Sequence, residues 1–137
     1  MTRIFVYCIL TLLFLGSILL GLGQENYHIT GIQYWSAPDH TRIILDVSGK
    51  VTYKHFSLGN PNRFIVDFDS AALSLPHQKN ITVKDGIVNQ IRFGNFGKNT
   101  LRVVFDVVQP VEPKIFFIEN SPGETQQLSI ELFRPDL

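Results

Sequence analysis

"RIILDV" (Arg42–Val47) and "RVVFDV" (Arg102–Val107) are nearly one phrase written twice, 60 residues apart (102 − 42). Each runs Arg, three large apolar residues, Asp, Val. Successive side chains in a strand point to opposite faces, so Ile43, Leu45 and Val47 share one face while Arg42, Ile44 and Asp46 share the other. Val103, Phe105 and Val107 oppose Arg102, Val104 and Asp106 in the same way. Both segments read as strands with one face in a core and the other toward water.

The same alternation recurs along the chain. "RFIVDFD" places Phe64, Val66 and Phe68 inward and Arg63, Ile65, Asp67 and Asp69 outward, and "LSIEL" sends Leu128, Ile130 and Leu132 in. "ITGIQYW" and "IVNQIRFG" supply two more strands. Val51 to Leu58 and Val111 to Ile118 supply another two, and Pro113 marks the latter as an edge or irregular strand. Ser48-Gly49-Lys50, Gly59-Asn60-Pro61-Asn62 and Asn120-Ser121-Pro122-Gly123-Glu124 read as turns, since Gly, Asn and Pro supply the dihedrals that reversals need. No useful helix-period segment follows Gln24. "SAALSLPHQKN" (Ser70 to Asn80) is the main connector, with room for at most a short helical turn before Pro76.

Residues 29–69 and 88–132 therefore run through one order of strands twice, each copy supplying about four. A four-stranded sheet has an apolar face that it cannot bury alone, so two copies laid face to face would close a core. The expected fold is an all-β sandwich of two similar, roughly four-stranded sheets produced by internal duplication. It occupies residues 24–137.

Residues 1–23 stand apart. Arg3 precedes an almost unbroken apolar run from Ile4 to Leu22, and Gly21-Leu22-Gly23 before Gln24 has the small-x-small form of a signal-peptidase site. The run exceeds the usual ~7–15 residues of a signal core and approaches the ~20 that span a bilayer, so a cleaved signal peptide and an uncleaved membrane anchor both stay open. Tyr7 before Cys8 is too bulky for lipoprotein processing. Without this segment the chain has no cysteine, so its stability rests on packing rather than disulfides. Its charge is then 11 Lys and Arg (12 less Arg3) against 12 Asp and Glu. That balance, with no basic cluster, gives no reason to expect nucleic acid as a partner.

The order of these strands, with both copies and the Asn60-Pro61 turn in "TRIILDVSGKVTYKHFSLGNPNRFIVDF" and "GIVNQIRFGNFGKNTLRVVFDVVQPVEPKIFFI", resembles the AMIN domain across Tyr27 to Phe133. That module precedes the catalytic domain of periplasmic N-acetylmuramoyl-L-alanine amidases and occurs in some type IV pilus secretins. The resemblance implies a periplasmic location, peptidoglycan as ligand, and a non-enzymatic role in placing cell-wall hydrolysis or division machinery, with an amidase, divisome or secretin component as a further partner. No amidase domain follows in this sequence, so a solitary module that acts on a separate partner or simply binds the wall is expected. The competing reading is a scaffold protein that docks to a secretin, pilus or other envelope complex, by strand addition at a sheet edge.

Catalytic and metal sites find no support in the sequence. His28, His40, His55 and His77 lie 12, 15 and 22 residues apart (40 − 28, 55 − 40, 77 − 55), with no spacing that brings three ligands to one zinc ion. There is no Gly-x-Ser-x-Gly elbow. Gly94-x-x-Gly97-Lys98 fails the phosphate-loop spacing and reads as a hairpin loop. Asn80-Ile81-Thr82 matches a glycosylation sequon, relevant only to a eukaryotic secretory pathway. No catalytic residue, metal or cofactor is expected.

The candidate ligand contacts are instead the outward charges Arg42, Asp46, Arg63, Asp67, Arg102 and Asp106, with the loop aromatics Tyr34, Trp35 and Phe96. Arg could engage stem-peptide carboxylates bidentately, Asp could meet sugar hydroxyls, and aromatic planes could stack on sugar rings. The plainer account has the charges pairing across strands for about 0.2–1 kcal/mol each, and the aromatics covering the open end of the sandwich.

Overall fold

The computed structural model describes residues 26–75, 80–119 and 125–135. The signal or anchor segment, His77 and the Asn120–Glu124 turn lie outside these. Among the described residues the chain forms β1 (Tyr27–Ser36), β2 (His40–Val47), β3 (Tyr53–Leu58), β4 (Arg63–Asp69), β5 (Ala71–Leu73), β6 (Asn80–Thr82), β7 (Val88–Phe96), β8 (Thr100–Val107), β9 (Glu112–Phe117) and β10 (Gln126–Phe133). They build two five-stranded sheets, β5-β1-β2-β10-β9 and β3-β4-β8-β7-β6. The all-β sandwich of two similar sheets is as expected. The fifth strands come from within the connector and just past its end: β5 pairs parallel to β1 and β6 antiparallel to β7, each too short to show period-two alternation.

The two copies do not each form one sheet. Each copy gives its first hairpin to one sheet and its second hairpin to the other, so β1-β2 joins β10-β9 while β7-β8 joins β4-β3. Ser48-Gly49-Lys50 is accordingly no reversal within a sheet but the start of a crossing between sheets. The cause lies just beyond it, in the apolar residues Val51 and, in the second copy, Val111. Both are buried in the crossings and draw the chain over the end of the core. Exchanging hairpins also places β2 beside β10 and β8 beside β4, so the two halves are hydrogen-bonded together as well as packed.

The inward faces pair as the alternation requires. Ile43, Leu45 and Val47 of β2 match Val103, Phe105 and Val107 of β8, and Phe64, Val66 and Phe68 of β4 match Leu128, Ile130 and Leu132 of β10; all are buried. Each such large side chain contributes about 1.5–3 kcal/mol by leaving water. The outward residues Ile65, Asp67, Ser129 and Glu131 are also buried, unlike the wet face expected for them. Their strands are flanked on both sides, and long neighbours such as Arg42 and Arg102 lie across them.

Candidate functional site: the two outer sheet faces

The exchanged hairpins give the outer faces matching sets of residues. On one face Arg42 Nη2 lies 3.2 Å from Glu131 Oε1. On the other Arg102 Nε and Nη2 donate to Asp67 Oδ1 and Oδ2 at 2.9 and 3.0 Å. These ion pairs are equivalents, because Arg42 stands opposite Glu131 across β2 and β10 as Arg102 stands opposite Asp67 across β8 and β4. Both acids are nearly buried while the arginines keep an exposed flank, at 46% for Arg42 and 26% for Arg102. Phe116 and Phe56, again 60 apart (116 − 56), stand on the same faces two strands away.

Around the arginines the faces differ. Trp35, opposite Arg42 and 52% exposed, walls a groove of about 340 Å³ with His40 and Ile44. The place of Trp35 is taken on the other face by Gly94, opposite Arg102, where a Cβ would meet nothing within 4 Å. Phe96 supplies the aromatic surface instead: it is 53% exposed, and the Arg102 guanidinium carbon lies 3.6 Å from its ring centroid. A smaller groove of about 130 Å³ runs between Arg92, Gly94, Arg102 and Val104.

The remaining candidates are placed unequally. Tyr34 sits opposite Ile43 on the core side of β1, so it joins no platform with Trp35. Asp46 accepts from Gln127 Nε2 at 3.2 Å, and its carboxylate occupies the space that a side chain at Gly31 would need. Asp106 accepts from Arg92 Nε and Nη2 at 2.8 and 2.9 Å. Burial raises the Asp106 pKa, but hydrogen bonds from Arg92 and Gln90 and the charges of Arg92 and Arg63 outweigh it, and the net shift is downward. Arg63 Nε donates to the Pro61 carbonyl at 3.2 Å. Asp67, with both oxygens held by Arg102, orients that guanidinium rather than facing solvent.

Arg92, Glu131, Phe56 and Phe116 belong to these clusters and are absent from the sequence candidates. Only the register, which sets Glu131 against Arg42 and Asp106 beside β7, reveals them. The three described histidines sit apart: His28 against Ser74, His40 stacked on Phe133 at 4.7 Å, and His55 tilted against Phe64 at 5.5 Å. Among the described residues no three His, Cys, Asp or Glu come together in a group able to hold a metal ion.

Two curated relatives align with most of this sandwich. The N-acetylmuramoyl-L-alanine amidases AmiC of Escherichia coli O6:H1 and of Neisseria meningitidis serogroup B are each 28% identical to the chain, over 108 and 107 residues. The alignments cover 77% and 76% of this chain but 26% of each relative, so the chain spans about a quarter of their length. Residues 31–132, from the bulge in β1 to the end of β10, match one family along their whole length. The chain belongs to the AMIN domain family.

Proposed function

We propose that this protein is a binding module for peptidoglycan in the bacterial periplasm, which positions wall-cutting or division machinery and carries out no chemistry itself. One observation carries the reading: each outer face pairs an exposed aromatic side chain with an arginine fixed by a nearly buried carboxylate, Trp35 with Arg42 and Phe96 with Arg102. An aromatic plane offers apolar area to the C–H face of a sugar ring, and a guanidinium held in place loses little freedom on binding a carboxylate. The name of the AmiC relatives refers to a muramoyl sugar joined to an amino acid, the two chemistries these groups suit. Glu131 and Asp67 act here as positioning residues for Arg42 and Arg102, while ligand contact falls to Trp35, Phe96, Arg42 and Arg102.

Cosedimentation of the purified protein with isolated sacculi tests this. Trp35→Ala and Phe96→Ala should each weaken binding about five- to tenfold, equivalent to ~1–1.4 kcal/mol, and together reduce it to the level of a neutral control protein. A double variant that sediments like the wild type would remove the outer faces from the reading. No enrichment of the wild type over the control would remove wall binding altogether.

A further inference from the structure

The two copies also differ at the edges of their sheets. β3 and β9 are equivalent edge strands on the same side of the sandwich, joined across it by Tyr53 and Phe117 with ring centroids 6.3 Å apart. In an antiparallel pair, hydrogen-bonded and non-hydrogen-bonded residue pairs alternate. The Asp69 amide donates to the Thr52 carbonyl at 2.9 Å, so along β3 it is Lys54, Phe56 and Leu58 that exchange bonds with β4. The amides and carbonyls of Tyr53, His55 and Ser57 point away from the sheet. The same count along β9, from the Ile118 amide bonded to Gln127, turns residues 113, 115 and 117 outward.

Residue 113 is a proline, which has no N–H to offer, and it stands where the first copy has Tyr53 (113 − 60). Proline at an outward position is a device that blocks edge pairing. β9 carries it and β3 does not. β5 and β6, the edges on the opposite side, are three residues each. Among the described residues, β3 is the one edge longer than three residues without a proline, and no strand lies beyond it.

We infer that β3 accepts an added antiparallel strand, supplied by an extended segment of another protein that carries a carboxylate opposite Lys54 and apolar side chains opposite Phe56 and Leu58. The charge of the rim argues for that chemistry. Lys54 and Arg63 line it, while Asp67, the acid facing Lys54, is held by Arg102, and Asp69 lies past the Tyr53 end. A second copy of this chain is a poor occupant, because it would bring another Lys54 to the same seam. A six-residue edge also falls far below the roughly 1,200–2,000 Å² that stable protein pairs bury. The inference is independent of wall binding, which uses the sheet faces.

The probe is a fluorescein-labelled peptide, Thr-Val-Thr-Val-Thr-Glu-Thr, with a control in which Lys replaces Glu. The Glu peptide should saturate the protein at least tenfold more tightly than the Lys peptide. His55→Pro removes one outward N–H without breaking a hydrogen bond to β4 and should abolish binding while retaining the wild-type circular dichroism spectrum and sacculus binding. Lys54→Glu should reverse the peptide preference, and bound peptide should slow amide exchange in the segment 53–57. No binding of the Glu peptide up to about 1 mM, unaltered binding by a folded His55→Pro variant, or concentration-dependent pairing of the chain with itself through β3 would each overturn the inference.

Discussion

Asp85 is the residue on which the packing of the two sheets can be tested most sharply. It lies in the β6-β7 loop, yet its carboxylate Oδ2 accepts from Ser36 Oγ at 2.7 Å and from Thr41 Oγ1, at the tip of the β1-β2 hairpin in the other sheet. Its Oδ1 accepts from the amides of Ile87 and Val88 at 3.0 and 2.8 Å. Thr41, Ile87 and Val88 are buried, so Asp85→Ala strands three donors away from water, whereas exposed Ser36 finds a solvent partner. At the low end of ~1–3 kcal/mol per stranded donor, the loss comes to about 3–4 kcal/mol, a large part of the ~5–15 kcal/mol typical of a domain. With a urea slope near ~1.5 kcal/mol/M the midpoint, followed by circular dichroism, should fall by about 2–2.7 M. Burial raises the Asp85 pKa, but the hydrogen bonds from Thr41, Val88, Ser36 and Ile87 outweigh it and hold the folded value below the ordinary one. A depressed folded pKa gives stability that is complete above the unfolded value of about 3.9 and is lost as pH falls through the folded value. Asp85→Asn, which keeps an acceptor without the charge, should therefore lose less stability than the wild type as pH falls below about 4. An Asp85→Ala midpoint within about 0.5 M of wild type, or identical acid limbs for Asp85→Asn and wild type, would refute the reasoning.

Two further outcomes follow from the outer faces. Arg102→Ala leaves the Asp67 carboxylate, 2% exposed, without its partner and should cost about 3–5 kcal/mol by urea unfolding; Arg42→Ala, whose ion pair is a single longer contact, should cost clearly less. Ser129 stands on its face where Ile65 stands on the other, and its buried hydroxyl has no hydrogen-bond partner among the described residues. Ser129→Ala should hold or raise the thermal midpoint, by up to about 1 kcal/mol of stability; a loss above that would show that the hydroxyl has a partner.

Strand identity was legible because it rests on local alternation: "RIILDV" and "RVVFDV" bury the three residues each that the period requires. Pro113 likewise marked β9 as an edge. The pairing of strands was not legible, because nothing in a period-two pattern says which partner a strand selects. The exchange of hairpins turns on Val51 and Val111, whose burial in the crossings looks in sequence like the start of the next strand. The site inherited that gap. Arg42 and Arg102 could be named from the repeat, whereas their partners Glu131 and Asp67 depend on register, and Asp85 depends on a contact between its loop and Thr41 of β2, 44 residues away (85 − 41).

The exchange has a functional consequence that separate half-domains would not produce. Each arginine lies on a hairpin of one copy and is oriented by an acid on a hairpin of the other: Arg42 by Glu131, Arg102 by Asp67. Neither copy alone can fix its own guanidinium, so both faces are assembled only when the whole sandwich folds. Each face is built on a ladder shared by the two copies, β2-β10 on one and β4-β8 on the other, and both retain the repeated Arg and Phe positions. The edges lie outside those ladders and are free to diverge, as Tyr53 and Pro113 have. Binding by the faces and docking by the β3 edge can therefore be altered one at a time, Trp35 and Phe96 for the first and His55 for the second.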